Sequence, residues 1–406
     1  MAKIFKYKGD EKFTLDTLIN LKDIDVDWSR TGDKNASSLH SISSYLAMFA
    51  PAMPRYFIEK LTQENDLVYD PFSGRGTTAL KSREMNRRFV GSDLNPYALV
   101  LSRSKIATCT KQEAINYVNN LEINFKVWKD NENNVNKFNN ENFSELRYFY
   151  SKSVLTQLIF LRENYGINWR NFSDVQNFVF GITLGIMHGK LKKDGTTIYF
   201  SLDMPNTISM APNYVKKFAA AKNLIKPDVN IFELIRNRIN QKYDELLSKK
   251  FKSNIYEINA LENNKDIENN SIKLLITSPP YLSVVNYTNS NWLKLWLLGY
   301  ERSNLRNEIK LSDRLNFEKY TNFMIDFLEN VYDKIQIGGY IVLIVGDVHN
   351  EKLIEKVWEI IQNKVKFNLK EIYWDDKYLQ THKITNMLNG KKGKATTIEK
   401  VLLLRK

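Results

Sequence analysis

The sequence predicts an α/β fold on a mostly parallel sheet, and three observations predict it. Two short apolar runs of strand character each end in a turn-forming string. Leu67-Val68-Tyr69 runs into Asp70-Pro71-Phe72-Ser73-Gly74-Arg75-Gly76-Thr77-Thr78, and Lys273-Leu274-Leu275-Ile276 runs into Thr277-Ser278-Pro279-Pro280-Tyr281. Residues 66–109 alternate strand, turn, helix, strand, turn, helix, the pattern of a parallel βαβα unit. Strand patterns then lapse until Asn254, so a largely helical block, 110–250, divides the sheet-forming parts 1–109 and 251–406.

Residues 1–39 are polar and mixed, with Thr31-Gly32-Asp33-Lys34-Asn35 as a loop. His40 to Leu61 is helix-compatible but broken by Pro51 and Pro54. The second strand is Arg88 to Asp93, and Asn95-Pro96 opens the next helix. Helical periodicity covers 143–164, 172–189 and 229–249, whereas Lys129 to Asn142 and Leu202 to Pro212 read as loop and turn. Ile255-Tyr256-Glu257-Ile258 is a strand, followed by an Asn-rich turn at 262–271 and the strand into Ser278. A helix follows around 317–334, then the strand Tyr340 to Val345 behind Gly338-Gly339, and last the strand Glu399 to Leu404. No internal repeat is visible.

The formal net charge of +13 over 406 residues favours a polyanionic partner, most simply nucleic acid. A single cysteine, Cys109, excludes an intrachain disulfide framework and a Cys-rich zinc site. The four histidines are scattered at 40, 188, 349 and 382, so no metal is expected. Met1 to Lys8 has no signal-peptide design, and no apolar run reaches the roughly 18 residues of a membrane span. The expected location is the cytoplasm, with no membrane partner.

Gly74 and Gly76 stand where a strand turns into a helix, and lacking Cβ they permit positive φ and a close ligand. Asp70 closes the strand, where its carboxylate can accept from a ligand ammonium or from loop amides. Asp93, 23 residues later at the tip of the second strand, is placed to take ribose hydroxyls. Residues 74–79 also fit G-x-G-x-x-A, so a dinucleotide site is an alternative; the Asp-Pro-Phe lead-in is unlike one. No Gly-Lys-Ser/Thr follows, which excludes a P-loop.

The second string suits a planar amine. An exocyclic base nitrogen is a poor nucleophile because its lone pair is delocalised into the ring. A catalyst must accept its N–H hydrogens and aim the nitrogen at a methyl donor. Pro279 and Pro280 fix φ and carry no N–H, so the Pro279 carbonyl can project as an acceptor. Ser278 offers a second acceptor, and Tyr281 a flat face for an extruded base.

Both strings together resemble the cofactor and catalytic motifs of the DNA amino-methyltransferases, the cytosine-N4/adenine-N6 group. His40 to Pro54, with Tyr45, Met48-Phe49 and Pro51, resembles the segment that closes over the methionine end of the cofactor in these enzymes. Ser92-Asp93-Leu94-Asn95-Pro96 resembles the ribose-binding strand end, Asn286-Tyr287 to Gly299 the region after the catalytic turn, and Gly338 to Asp347 a later strand. The resemblance covers 40–109 and 254–406 in pieces. It implies a doubly wound, seven-stranded sheet, S-adenosyl-L-methionine as donor, double-stranded DNA with a flipped base as substrate, and often a restriction endonuclease for the same site. The implied cofactor residues are Tyr45, Phe49, Asp70, Pro71, Phe72, Gly74, Gly76, Thr77, Asp93, Asn95 and Asn259. The implied catalytic residues are Ser278, Pro279, Pro280 and Tyr281. Serine before Pro-Pro is more typical of the cytosine-N4 enzymes. Asn259 stands where many relatives carry an acid, and the cofactor motif precedes the catalytic one, the reverse of many Ser-Pro-Pro-Tyr enzymes. By elimination, 110–250 is the candidate target-recognition region.

Lys216, Lys217, Lys222 and Lys226, interleaved with Tyr214 and Phe218, and the run Lys391-Lys392-Gly393-Lys394 are candidate phosphate contacts. Arg75 can serve DNA, position substrate or cover its turn, and His188 reads as a packing residue. Two other functions stay open: an RNA base methyltransferase, and a non-catalytic DNA-binding protein on a methyltransferase fold.

Overall fold

The computed structural model describes residues 18–28, 32–46, 48–247, 249–280, 286–311, 315–347, 352–375 and 398–406. Its centre is one sheet of eight strands: β1 (Leu18–Asn20), β2 (Leu67–Asp70), β3 (Arg88–Asp93), β4 (Ser253–Glu257), β5 (Ile272–Thr277), β6 (Ile335–Asp347), β7 (Asn368–Asp375) and β8 (Ile398–Arg405). The order across the sheet is β1-β7-β8-β6-β5-β2-β3-β4. Among the described strands, only β8 runs antiparallel, against both β6 and β7. Seven strands are therefore the expected ones in number, and a three-residue strand, β1, adds an eighth at the edge by pairing parallel to β7.

Alternation along the central strands sends side chains to two faces. Val68, Phe89, Leu274, Ile276, Val342 and Ile344 enter one buried cluster, and Tyr69, Val90, Leu275, Ile341 and Leu343 enter the other. The second face is covered by the helices Phe317–Tyr332 and Leu353–Ile361. The first carries Ala52–Leu61, Thr77–Glu84 and Pro96–Ile106, and outside these Asp174–Gly185. The last two helices lie very close: a Cβ on Gly181 would stand 2.4 Å from Ser104 Cβ. The helices between 111 and 242 thus share one apolar core with the sheet.

Several elements depart from the sequence expectations for identifiable reasons. Pro54 does not break its helix, because Ala52–Leu61 starts just after Pro51 and places Pro54 in the first turn, where no N–H partner is lost. The pattern at 143–164 splits into a 3₁₀ segment, Glu141–Tyr148, and a helix, Lys152–Asn164, whose start is set by Ser151 accepting from the Val154 N–H. The other two helices are shorter than their patterns, Asp174–Gly185 and Ile231–Lys242, each opened by a side-chain cap, Ser173 and Asn230. The expected loop from Lys129 holds a short helix, Glu132–Asn136, capped by Asn131. β6 begins five residues before Tyr340, and Gly338, at φ +74°, sits inside it where the register against β5 shifts.

Candidate active site

β2 and β5 are hydrogen-bonded neighbours at the point where the strand order reverses, so their C-terminal ends, and both turn strings, lie side by side. Thr277 Oγ1 donates to Asp70 Oδ1 across these ends at 2.6 Å. The Phe72 N–H donates to the same oxygen at 3.2 Å. Asp70 is only 1% exposed, and its Oδ2 has no hydrogen-bond partner among the described residues. Burial pushes the Asp70 carboxyl up to about 6, against the Thr277 and Thr78 hydroxyls and the Phe72 N–H, which favour the charged form.

The glycine turn is built around two left-handed residues, Gly74 at φ +49° and Gly76 at φ +72°. Gly76 also meets the helix Pro96–Ile106, where a Cβ would stand 2.8 Å from Ser102 Cα. The turn is tied down by Ser102 Oγ donating to the Gly74 carbonyl at 3.0 Å and by the buried Lys105 donating to the Arg75 carbonyl. Asp93 holds it from the next strand: its two oxygens accept from the Gly74 and Asn95 N–H groups, both at 2.8 Å. Burial pushes the Asp93 carboxyl up to about 6, opposed by the N–H groups of Asn95, Gly74 and Leu94.

The segment before the first long helix forms a wall over this turn. Lys81 is buried and pairs with Asp33 at 2.5 Å and with Glu84. His40 Nε2 stands 3.3 Å from Glu84, yet burial pushes the imidazole down to about 4, so it is neutral at pH 7. The Ile42 carbonyl lies where a Cβ on Gly185 would be, which brings the segment against the helix Asp174–Gly185. Tyr45 follows; its hydroxyl accepts from Asn95 Nδ2 at 3.1 Å and its ring stacks on Tyr287 at 5.8 Å. The Asn95 Oδ1 caps its own helix by accepting from the Tyr97 N–H.

These elements line one cleft. Of the residues expected from sequence, Tyr45, Phe49, Pro71, Phe72, Gly74, Thr77, Asp93, Asn95 and Asn259 line it, together with Ser278 and Pro280. Asp70, Gly76 and Pro279 are not on its wall: Asp70 is turned into the joint with Thr277, and Gly76 against Ser102. Tyr281, His349, His382, Lys391, Lys392 and Lys394 lie outside the described residues. Asn259 uses its Oδ1 to accept from the Leu261 N–H at 3.1 Å. The cleft also includes Tyr287, from the stretch that resembles the region after the catalytic turn, and Leu311 and Phe323, which no local motif marks. His188 is buried, bonded to the Pro205 carbonyl and to Ser209 Oγ, and pushed down to about 3 by burial and the nearby Lys294 charge. That is a packing residue. No helix among the described residues is long and apolar enough to cross a membrane.

Residues 3–104 match the N6/N4 methyltransferase family described as DNA methylase. The type II methyltransferase M.MjaII of Methanocaldococcus jannaschii is 28% identical over 86 residues, 20% of this chain and 16% of that protein. M.BglI of Bacillus subtilis is 32% identical over 81 residues, 20% of this chain and 23% of its own length. M.MvaI of Kocuria varians aligns over 320 residues at 19% identity, 73% of this chain and 66% of that one. The chain thus spans less than a quarter of the first two relatives and about two thirds of the third. The matched segment, about a quarter of the chain, contains the glycine turn and the Asp93 strand end.

Proposed function

We propose that the protein transfers a methyl group from S-adenosyl-L-methionine to the exocyclic amine of a base flipped out of duplex DNA, cytosine N4 in preference to adenine N6, in a restriction–modification setting. The observation that supports it most is the shared cleft: the glycine turn and Asp93 form one side and Ser278 with Pro280 the other. The residues present suit the donor. Asp93 retains acceptor capacity for ribose hydroxyls beside its two backbone bonds. Phe49, Phe72 and Phe323 offer apolar walls for an adenine. Tyr45, Thr77 and the Gly74 backbone would hold the amino-acid end, and Asp70 would act from behind, bracing Thr277 and with it Ser278.

When bound, the donor supplies an electrophilic methyl group. The chain's own part is positioning and electrostatics. Ser278 Oγ and the Pro279 carbonyl accept the amine hydrogens, which aims the nitrogen lone pair across the cleft. Tyr281 stacks on the extruded base. The methylated nitrogen is briefly cationic and strongly acidic, and releases its proton to water, so no general base is needed beforehand. The helical region 110–250 reads the target sequence, with 1–109 and 251–406 forming the catalytic body. The test is transfer of labelled methyl groups to duplex DNA, to RNA and to no nucleic acid. Incorporation into duplex DNA alone is expected. Incorporation into RNA alone favours the RNA enzyme, and none into either favours the non-catalytic reading.

A further inference from the structure

The loop after the helix Asp174–Gly185 carries three exposed lysines in four residues, Lys190, Lys192 and Lys193. None of the three is in a salt bridge with a described residue. The local acid, Asp194, accepts from Thr196, whose N–H and Oγ1 donate to Asp194 Oδ1 at 2.9 and 2.7 Å, and its carboxyl pKa is lowered chiefly by these bonds and to a lesser degree by the Lys192 charge. The loop is nevertheless fixed. The Lys192 N–H donates to the Thr196 carbonyl at 2.9 Å and the Gly195 N–H to the Lys192 carbonyl at 3.0 Å, closing a tight turn. At its tip Gly195 takes φ +81° with no atom within 4 Å of a would-be Cβ, so the turn projects into open space.

The base of the loop is fastened to the cleft. The Leu191 N–H donates to Asp203 Oδ1 at 2.7 Å, and the Met204 N–H to the Gly189 carbonyl at 3.2 Å. The Tyr199 ring packs where a Cβ on Gly189 would lie. His188, next in the chain, bonds Pro205 and Ser209, and the Ser209 N–H donates to the Ser290 carbonyl at 2.7 Å. Ser290 ends the short helix Tyr287–Ser290, whose first residue lines the cleft. A short chain of hydrogen bonds thus joins the lysine turn to the wall on the catalytic-turn side.

We propose that the turn 190–197 is a phosphate clamp that grips the backbone of duplex DNA beside the flipped base. This rests on the DNA methyltransferase reading above. Three cations outside any salt bridge among the described residues, with only Asp194 nearby to offset the Lys192 charge, are held on a turn that is already ordered and meet a polyanion at little cost in conformational freedom. Phosphate contacts of this kind set the register of the duplex and carry no sequence information themselves. The lysines therefore fix where the DNA lies, and other residues read it.

The test is the affinity of the full chain for a fluorescent 30-base-pair duplex, about three helical turns, measured by anisotropy over a range of salt concentrations. The variant is Lys190→Gln/Lys192→Gln/Lys193→Gln. The control, Lys356→Gln/Lys364→Gln/Lys370→Gln, removes the same charge from exposed positions in and after the helix on the other sheet face. Each lost phosphate contact lowers the salt slope by about one, so the loop variant should lose about two to three from its slope and about tenfold or more in affinity. The control should change little, and calorimetric binding of S-adenosylhomocysteine should match wild type in both. Equal effects of both variants, or no effect of the loop variant on a wild type that binds duplex, would overturn the clamp alone. A wild type that binds no duplex at all would overturn the DNA reading and the clamp with it.

Discussion

Replacing Asp70 by asparagine separates two roles for this carboxylate, contact with the ligand and support of the catalytic turn. The carboxyl titrates at about 6 in the folded chain against 3.8 for an ordinary aspartate. A folded value raised above the unfolded one means that the native state holds its proton more tightly. The resulting penalty is absent well below pH 4, grows as pH rises from about 4 to about 6, and is constant above. Its full size is the shift of about two units, or about 3 kcal/mol. Asp70→Asn keeps an acceptor for Thr277 and Phe72 and removes the titration, so its stability relative to wild type should rise with pH. Between pH 4.5 and 7.5 the gain should be about 2 kcal/mol, since part of the penalty is already present at pH 4.5. Any pH-independent change in hydrogen bonding cancels in that difference. Urea denaturation of both proteins at the two pH values reads it directly. A stability difference that stays constant between pH 4.5 and 7.5 would refute the reasoning. Because Asp70 lies behind the cleft wall, the variant should also bind S-adenosylhomocysteine about as well as wild type. A large loss of that affinity would return Asp70 to the ligand-contacting set.

Asp93→Ala should weaken S-adenosylhomocysteine binding by about 1–3 kcal/mol in calorimetry, because it removes both a candidate ribose acceptor and the partner of the Gly74 and Asn95 N–H groups. Gly76→Ala should cost at least about 2 kcal/mol in thermal or urea unfolding, combining a left-handed φ with a Cβ 2.8 Å from Ser102 Cα; a neutral result would mean the turn is free to move. Tyr281→Ala should lose most methyl transfer while keeping cofactor affinity, and Tyr281→Phe should retain part of it, since stacking needs only the ring; near-normal turnover by the alanine variant would count against base flipping.

How much of this was legible depends on whether the signal was local. β2, β3 and β5 are readable because each is a short, largely apolar run that ends at the start of a turn string, at Asp70, Asp93 or Thr277. β7, Asn-Leu-Lys-Glu-Ile-Tyr-Trp-Asp, mixes polar and apolar residues beside the edge of the sheet and gave no such signal. β1 is three residues long and forms because β7 offers it a free edge. The starts of these helices within 110–250 are set by caps at Ser151, Ser173 and Asn230, which hydrophobic periodicity alone does not register.

At the site, chemistry written into contiguous motifs was visible and chemistry made by tertiary approach was not. Tyr287 reaches Tyr45 from more than 240 positions away, so only the fold could bring the rings to 5.8 Å. The bond between Asp70 and Thr277 is the same kind of event: each residue sits in its own motif, and nothing local says that the two strands are neighbours. The wall carrying Tyr45 depends on a buried pairing of Lys81 with Asp33 and Glu84, three charges that no sequence motif links.

Amine methylation of DNA bases is read out by nucleoside mass spectrometry of DNA from cells expressing the protein. N4-methylcytosine is expected at a level absent from cells carrying a Ser278→Ala/Tyr281→Ala variant. N6-methyladenine in its place would keep the chemistry and reverse the base preference. Digested DNA that contains neither modified nucleoside, from cells in which the folded protein is abundant, would rule out amine methylation of DNA bases.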